Sequence, residues 1–457
     1  MKTTLCVKYQ QQVMDKLHAV IIAIFVFLVK ADLDFQSDEI AANSYAEVRV
    51  LLDKYYKVIA RKHSAYNDYN AKEVSAALKN TSFDDGTEAS TNRKQGIGGE
   101  LFENDILLTL PQAHTLLKEV GRRNHRQAQV GKNYLWPRLM VSYNFATFEP
   151  IWQGLIRKAL NHVENETCIR FQENKDADDY IQFIRGSGCW SNVGHIGGRQ
   201  QISIGYGCDA IGIIAHEVLH ALGLWHEQSR FDRDQFITLN YDNVYPKRSE
   251  LTTDNMGQPY DLGSVMHYGS TAFAIDYSKS TIRTIDNNFQ QTIGQRKGIS
   301  FKDAKMINLR YCSNVCITQV SCQNEGYTDP NMCSQCKCPF GYGGTYCETV
   351  EKSNPSTCGG ELSATDNYTT IISPPLERGI RCVWRIKAST ATHATSPAKV
   401  RGPVGVNGAL AQSVAVVVES VSESERVAQV TLNASMFYLR EIIDNSRTSK
   451  LNSTLLS

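Results

Sequence analysis

Five residues in the string HEVLHALGLWH can do chemistry together: His216, Glu217, His220, Gly223 and His226. The apolar run from Ile211 to Leu222 predicts a buried helix. On a helix, residues i and i+4 share a face, so the imidazoles of His216 and His220 reach one ion, with Glu217 beside them. Gly223 permits a sharp turn, which brings His226 back from the following loop as a third ligand. Neutral imidazole suits zinc, and three protein ligands leave a fourth position for water, which separates a catalytic site from a closed structural one. Zinc lowers the pKa of such a water from ~15.7 to about 7, and Glu217 is placed to take its proton as the water attacks a peptide carbonyl. Unrelated histidines on a helix are the plain alternative. A chance H-E-x-x-H arises in roughly one chain of this size per hundred, before Gly223 and His226 are required.

These residues need a scaffold. Ile151, Leu155, Ala159 and Val163 recur at helical spacing until Asn165 breaks the pattern. CIRF from Cys168, Tyr180 to Ile184, and Gln201 to Tyr206 read as strands. The expectation is an α+β catalytic domain over residues 127–315, with a strand-rich first half, a helix-bearing second half and the site between them. Cys316, Cys322, Cys333, Cys336, Cys338 and Cys347 then crowd residues 316–348, a span too short to enclose a core, so bridges must replace one. Fifteen pairings are open. Before the catalytic domain, residues 32–126 contain no cysteine and read as a propeptide. Its stretch Asn80 to Gly99 reads as poorly packed chain, ahead of the short apolar segment LFENDILL. Arg123-x-x-Arg126 is a basic site of the kind a processing protease cuts. The tail, residues 396–457, has no assigned fold, and its VAVVV stretch is too short to cross a membrane.

Composition narrows the setting. The 457 residues carry 48 Lys plus Arg against 47 Asp plus Glu with no block of one sign, so no nucleic-acid partner is expected. The run Ala19 to Val29 follows Lys16 and ends in Val29-Lys30-Ala31, which predicts a signal peptide over residues 1–31, with Met14 as an alternative start. That run is about half of the ~20 residues a bilayer span needs, so no membrane anchor is expected. Of the 13 cysteines, Cys6 leaves with the signal, and the even remainder suits full pairing in an oxidising compartment. The sequons at Asn80, Asn165 and Asn367 agree with a secreted, extracellular glycoprotein.

HEVLHALGLWHEQSRFDRD, followed by SVMHY at Ser264 to Tyr268, resembles the astacin family of metzincin proteases. The resemblance implies a twisted sheet plus an active-site helix in two subdomains, with one Zn2+ per chain on His216, His220 and His226 and with Glu217 as base. It implies Met266 as a structural floor beneath the metal, and Tyr268 as a hinged fifth ligand that stabilises the oxyanion. Glu227 corresponds to the residue that binds the new amino terminus through water after processing, and Arg230, Asp232, Arg233 and Asp234 match the family loop, braced by ion pairs. QAQVGKNYLWP resembles a mature astacin N-terminus and places the cut after Arg126, although Gln127 can cyclise and lose the charge that the Glu227 contact needs. Phe102-Glu103-Asn104-Asp105-Ile106 resembles the family's aspartate switch, with Asp105 as the zymogen's metal ligand. Asn104 stands where glycine is usual, and Asn tolerates left-handed backbone.

By the same resemblance Cys168 pairs with Cys312 and Cys189 with Cys208. Residues 316–348, ending in CKCPFGYGGTYCE, resemble an EGF-like module, and residues 358–395, with CGGEL at Cys358 and CVWRI at Cys382, resemble the start of a CUB domain, an incomplete β-sandwich bridged Cys358–Cys382. This order is found in nematode astacins. The function implied is a secreted zinc endopeptidase made as a zymogen, acting on extracellular polypeptides, with protein or matrix contacts through the EGF-like and CUB region. A non-catalytic extracellular binding protein is the rival reading. The intact Glu217 argues against it.

Overall fold

Along Tyr180–Ile184 the side chains of Ile181 and Phe183 are fully buried while their neighbours are partly exposed, the alternation of a strand with one face on a core. This strand is the centre of a five-stranded sheet. In chain order the sheet contains β1 (Met140–Phe145), β2 (Arg170–Glu173), β3 (Tyr180–Ile184), β4 (Cys189–Ser191) and β5 (Arg199–Ile204), arranged β2-β1-β3-β5-β4. Four strands are parallel, and the edge strand β4 runs antiparallel to β5, with Trp190 opposite Ser203. The principal helices are α1 (Glu88–Lys94), α2 (Pro150–Glu166), α3 (Ile211–Ala221) and α4 (Phe301–Tyr311).

The computed structural model describes residues 44–58, 85–119, 131–239, 253–272, 274 and 279–363, with further short strands at 128–129, 369–372, 381–387, 400–401, 413–419 and 430–433. The expected signal, the Arg123–Arg126 site, Gln127, Asn80 and Asn367 lie outside the described residues, as does most of the tail.

Pro150 opens α2, where its fixed φ and missing N–H cost nothing. Trp152, Ile156, Ala159, Leu160 and Val163 of α2 join Ile213, Ile214, Val218 and Leu219 of α3 and the inner residues of the sheet in one core. The Trp152 indole also donates to the Ile204 carbonyl, at 3.0 Å. Because α3 is apolar on nearly every side, every residue from Gly212 to Ala221 is buried. Gly212 is required there: a Cβ would fall 2.0 Å from the Arg296 carbonyl oxygen.

The expected division into a strand-rich half and a helix-bearing half is not what forms. The whole sheet, α2 and α3 all precede Gly223, whereas the described residues between 223 and 300 are loops and short 3-10 turns with two small strand pairings, Ile237–Leu239 against Ile282–Thr284 and Thr253–Asp254 against Ala128–Gln129. That second part packs a small cluster of Ile237, Tyr260, Tyr268, Ala272, Ile282 and Ile293, and buried polar contacts hold its loops. Asp303 shows how. It caps α4 reciprocally with Ser300, and its carboxylate also accepts from Ser264 Oγ at 2.6 Å and from the Val265 N–H at 2.9 Å.

The stretch Asn80 to Gly99 is also not loose from Asp85 onward. It forms α1, whose residues Glu88 to Arg93 are all buried. Its polar side chains are matched to backbone groups of the catalytic region instead of to water, so low hydrophobicity gave the wrong expectation. The described residues 85–107 accordingly cluster with the sheet and α3, while residues 44–58 and 108–119, the latter containing the helix Leu110–Glu119, belong to a second compact unit. Among the described residues no helix is long and apolar enough to cross a membrane.

Disulfides link Cys168 to Cys312 and Cys189 to Cys208. In the cysteine-rich segment the pairs are Cys316–Cys333, Cys322–Cys336 and Cys338–Cys347, around a buried cluster of only Cys336, Tyr342 and Cys347. The segment leans on the end of α2, where Asn331 and Lys337 donate to the Asn165 carbonyl at 3.2 and 3.1 Å and Lys337 pairs with Glu166. Those carbonyls have no partner within the helix, so the segment supplies one. Cys358 bonds to Cys382, yet the strands beside it, Gly360–Ser363, Arg381–Lys387 and Ser413–Glu419, pair in parallel, and an antiparallel sandwich does not form among the described residues.

The Cys168–Cys312 bridge closes a sequence separation of 144 residues, the longest closure among the described residues. Replacing both cysteines by alanine is expected to lower stability by about 2–5 kcal/mol in urea unfolding; an unchanged midpoint would show that the ends of the domain are held by packing alone.

Candidate metal centre

His216 and His220 lie one turn apart on α3, with ring centroids 4.6 Å apart. Gly223, at φ +101°, ends the helix with its N–H on the His220 carbonyl, and the chain reverses toward His226. Each imidazole is held by its Nδ1. His216 donates to the Val265 carbonyl and His220 to the Leu224 carbonyl, both at 2.8 Å, while His226 Nδ1 meets Glu103 Oε2 at 2.7 Å. A carbonyl can only accept, so His216 and His220 carry hydrogen on Nδ1 and present the Nε2 lone pair.

The three Nε2 atoms converge on one carboxylate, that of Asp105. The separations from its oxygens are 3.5 Å for His216, 3.9 Å for His220 and 3.0 Å for His226. All four donor atoms lie within 4.8 Å of one another and all four residues are buried, a cluster able to hold a metal ion. The donor set, three imidazoles with one carboxylate, fits zinc. Asp105 arrives on a turn in which Glu103 and Asn104 have φ of 45° and 72°. Such left-handed backbone suits Asn. Asn104 is also packed so closely against Gly98 that a Cβ there would meet its Oδ1 at 1.9 Å. The turn is pinned to the sheet edge: the Ser191 N–H donates to the Asp105 carbonyl at 3.0 Å and the Leu107 N–H to the Ser191 carbonyl at 2.9 Å, in parallel register.

Glu217 is fully buried, and neither carboxylate oxygen has a hydrogen-bond partner among the described residues. Burial, then the negative charges of Asp105 and Glu88, push its pKa well above the ordinary range. Burial opposes charge on His226 as well, but Asp105 and Glu103 outweigh it and raise that ring to about 9, so protons compete with a metal for the same nitrogen. Met266 is fully buried in the core, and its carbonyl accepts the Glu227 N–H at 3.0 Å. Tyr268 packs against His226 with its ring tilted and centroids 4.5 Å apart, and its hydroxyl donates to the Glu103 carbonyl.

Glu227 accepts from the Asp261 N–H at 2.7 Å and from Arg230 at 3.3 Å; burial raises its pKa to about 8 against the pull of Arg230. Arg230 also grips Asp232 at 2.7 Å, and Arg233 lies 3.5 Å from Asp234. Asn165 is exposed, at the end of α2. Sequence reasoning missed Glu103, Glu88, Asn92 and Arg296. Glu103 sits in the switch string and could have been singled out, but nothing in the sequence signals that Glu88 and Arg296 are buried.

Residues 128–312 match the family model described as Astacin, a peptidase family. The chain is 52% identical over 356 residues to zinc metalloproteinase nas-37 of Caenorhabditis elegans, covering 76% of this chain and 46% of that protein. It is 44% identical over 319 residues to zinc metalloproteinase nas-30 of the same organism, covering 66% and 42%. The chain thus spans about half the length of these relatives. Among solved structures, high choriolytic enzyme 1, a hatching enzyme zinc-protease from Oryzias latipes, is 36% identical, with a TM-score of 0.36, over 40% of this chain and 92% of that one.

Gly223 is the residue on which the return of His226 turns. A Cβ there would sit 2.8 Å from Arg310 Nη2 in a left-handed conformation. Gly223→Ala is expected to cost about 1–3 kcal/mol in thermal or urea unfolding. A loss below that range would mean that the loop relaxes around the side chain.

Proposed function

The chain belongs to the astacin family of peptidases, and on that footing we propose that it is a secreted, zinc-dependent endopeptidase of extracellular polypeptides, made as a latent precursor. One observation carries the reading: three imidazole Nε2 atoms converge beside a buried carboxylate, Glu217, that has no hydrogen-bond partner among the described residues. An unpaired buried carboxylate is costly, and such groups persist where chemistry uses them.

Zinc held by His216, His220 and His226 supplies Lewis acidity and a water of lowered pKa. Glu217 is the general base: a carboxylate oxygen takes the proton of the attacking water and later gives it to the leaving amine nitrogen. The Tyr268 hydroxyl is the donor for the oxyanion. Met266 fills the floor beneath the histidines, and Glu227, in its buried pocket with Arg230 and Asp261, receives the new amino terminus.

Latency follows from the same contacts. Asp105 occupies the place where the three imidazoles converge, and Glu103 takes up both the Tyr268 hydroxyl and His226 Nδ1. Residues 32–126 are the propeptide, and a processing protease cuts near Arg126. The six cysteines of residues 316–348 form an EGF-like module and residues 358–395 the start of a CUB domain, both suited to protein or matrix contacts. Export through the signal peptide and glycosylation at Asn80, Asn165 and Asn367 complete the reading.

Glu217→Gln is expected to keep its zinc and to lose about 10²–10⁴-fold in kcat against a peptide substrate. Turnover at the original rate would remove Glu217 from the role of base. Asp105→Ala is expected to raise cleavage by the uncut precursor; a mutant precursor as silent as the original would count against the switch.

A further inference from the structure

Upstream of Asp105 in the same segment, Glu88 opens α1 and is fully buried against the catalytic region. Its carboxylate meets the guanidinium of Arg296 in a two-pronged contact: Arg296 Nε donates to Oε2 at 2.6 Å and Nη2 donates to Oε1. The Arg296 side chain is 6% exposed. The catalytic scaffold fixes this arginine from two other sides. Its backbone is pressed against Gly212 at the start of α3, and its Nη1 donates to the His267 carbonyl at 3.0 Å, between Met266 and Tyr268. The remaining fork is aimed at Glu88. Burial alone would raise the Glu88 pKa, but Arg296 overcomes it and holds the carboxyl at about 2.

Neutral contacts align the rest of α1 around this pair. The Asn92 amide donates to the Cys189 carbonyl at 2.6 Å and to the Asn104 carbonyl at 2.8 Å, while its oxygen accepts the Cys189 N–H at 2.7 Å. Asn92 thereby ties α1 to the switch turn and to β4 at once. Gln95 bridges the Gly188 N–H and the Tyr206 carbonyl, and Thr91 donates to the Gly207 carbonyl. The carboxylate of Asp105 and that of Glu88 therefore grip two different cationic or metal-binding groups, with a hydrogen-bonded strut between them.

We propose that Glu88 and Arg296 form a second lock on the precursor, separate from Asp105, which holds the inhibitory segment in the cleft by a buried ion pair. The proposal rests on the latency reading above. Its physical content is that lifting the segment breaks a desolvated pair before water can replace it, which resists partial opening even when the metal-facing end lets go. Asp105 blocks the chemistry; Glu88 sets how often the segment lifts away.

The test uses the full-length uncut chain, with cleavage of a fluorogenic peptide and amide exchange at Phe102, Ile106 and Leu107 as readouts. Glu88→Gln is expected to raise both by about 100-fold, the scale set by removing one partner of a buried ion pair. Combining it with Asp105→Ala is expected to release more activity than either change alone. If Glu88→Gln is silent while Asp105→Ala leaks, the second lock is refuted and the switch survives. If Asp105→Ala is itself silent, the latency reading fails and the lock with it. Should the Gln chain fail to be secreted, Glu88→Asp, which keeps the charge but draws it back by one methylene, is expected to speed exchange of the Phe102 and Ile106 amides at least about tenfold; unchanged exchange overturns the proposal.

Discussion

The structure depends on the tethering of three imidazoles by their Nδ1 atoms. An imidazole free to spin about its side-chain torsions presents its second nitrogen nowhere in particular. Here the Val265 carbonyl, the Leu224 carbonyl and Glu103 each fix one ring, and the three Nε2 atoms meet. Much of the rest serves those three acceptors. Val265 is held by Asp303 of α4 through its own N–H, so a helix far along the chain from α3 sets the rotation of His216. Leu224 is where it is because Gly223 lets the chain reverse at once after α3. Glu103 lies two residues before Asp105, so the same turn that brings a carboxylate to the three nitrogens also orients His226.

Burial gives these contacts their strength. In the low-dielectric interior a charge interacts more strongly with its partner and costs more when left without one. Glu217, Asp105, Glu88 and Arg296 are all buried within reach of each other's fields, and the shifts on Glu217 and Glu88 run in opposite directions for that reason. Glu217 is raised by burial and by two neighbouring carboxylates, whereas Glu88 has a guanidinium in direct contact. One cleft therefore holds a carboxyl inclined to take a proton beside another that refuses one.

The segments around the catalytic region show how little apolar area a chain needs when other constraints are present. The cysteine-rich residues after Cys312 bury only a tiny cluster and rely on three bridges. They in turn complete the end of α2 by donating to carbonyls that the helix leaves open. The segment from Asp105 to Leu107 does the same at the sheet edge, where it pairs with the open edge of β4 at Ser191.

By itself the sequence determined the elements whose cause is local. Ile211 to Leu222 is apolar on all sides and therefore helical and buried, the alternation at Tyr180 to Ile184 makes a strand, and the spacing of His216, His220 and His226 brings three nitrogens to one point with a glycine between. The family resemblance added the switch string and the two catalytic-region bridges. Tertiary structure alone decided which polar residues would be buried, because burial depends on what packs opposite and not on neighbours in the chain. Glu88 lies 208 residues from Arg296, and Asn92 lies 97 from Cys189. In the sequence both sit in a polar stretch that reads as solvated. Their partners are backbone groups and a guanidinium that only the folded sheet edge, the turn before Asp105 and the loop before α4 bring within hydrogen-bond distance, so no periodicity or composition along the segment could have announced them.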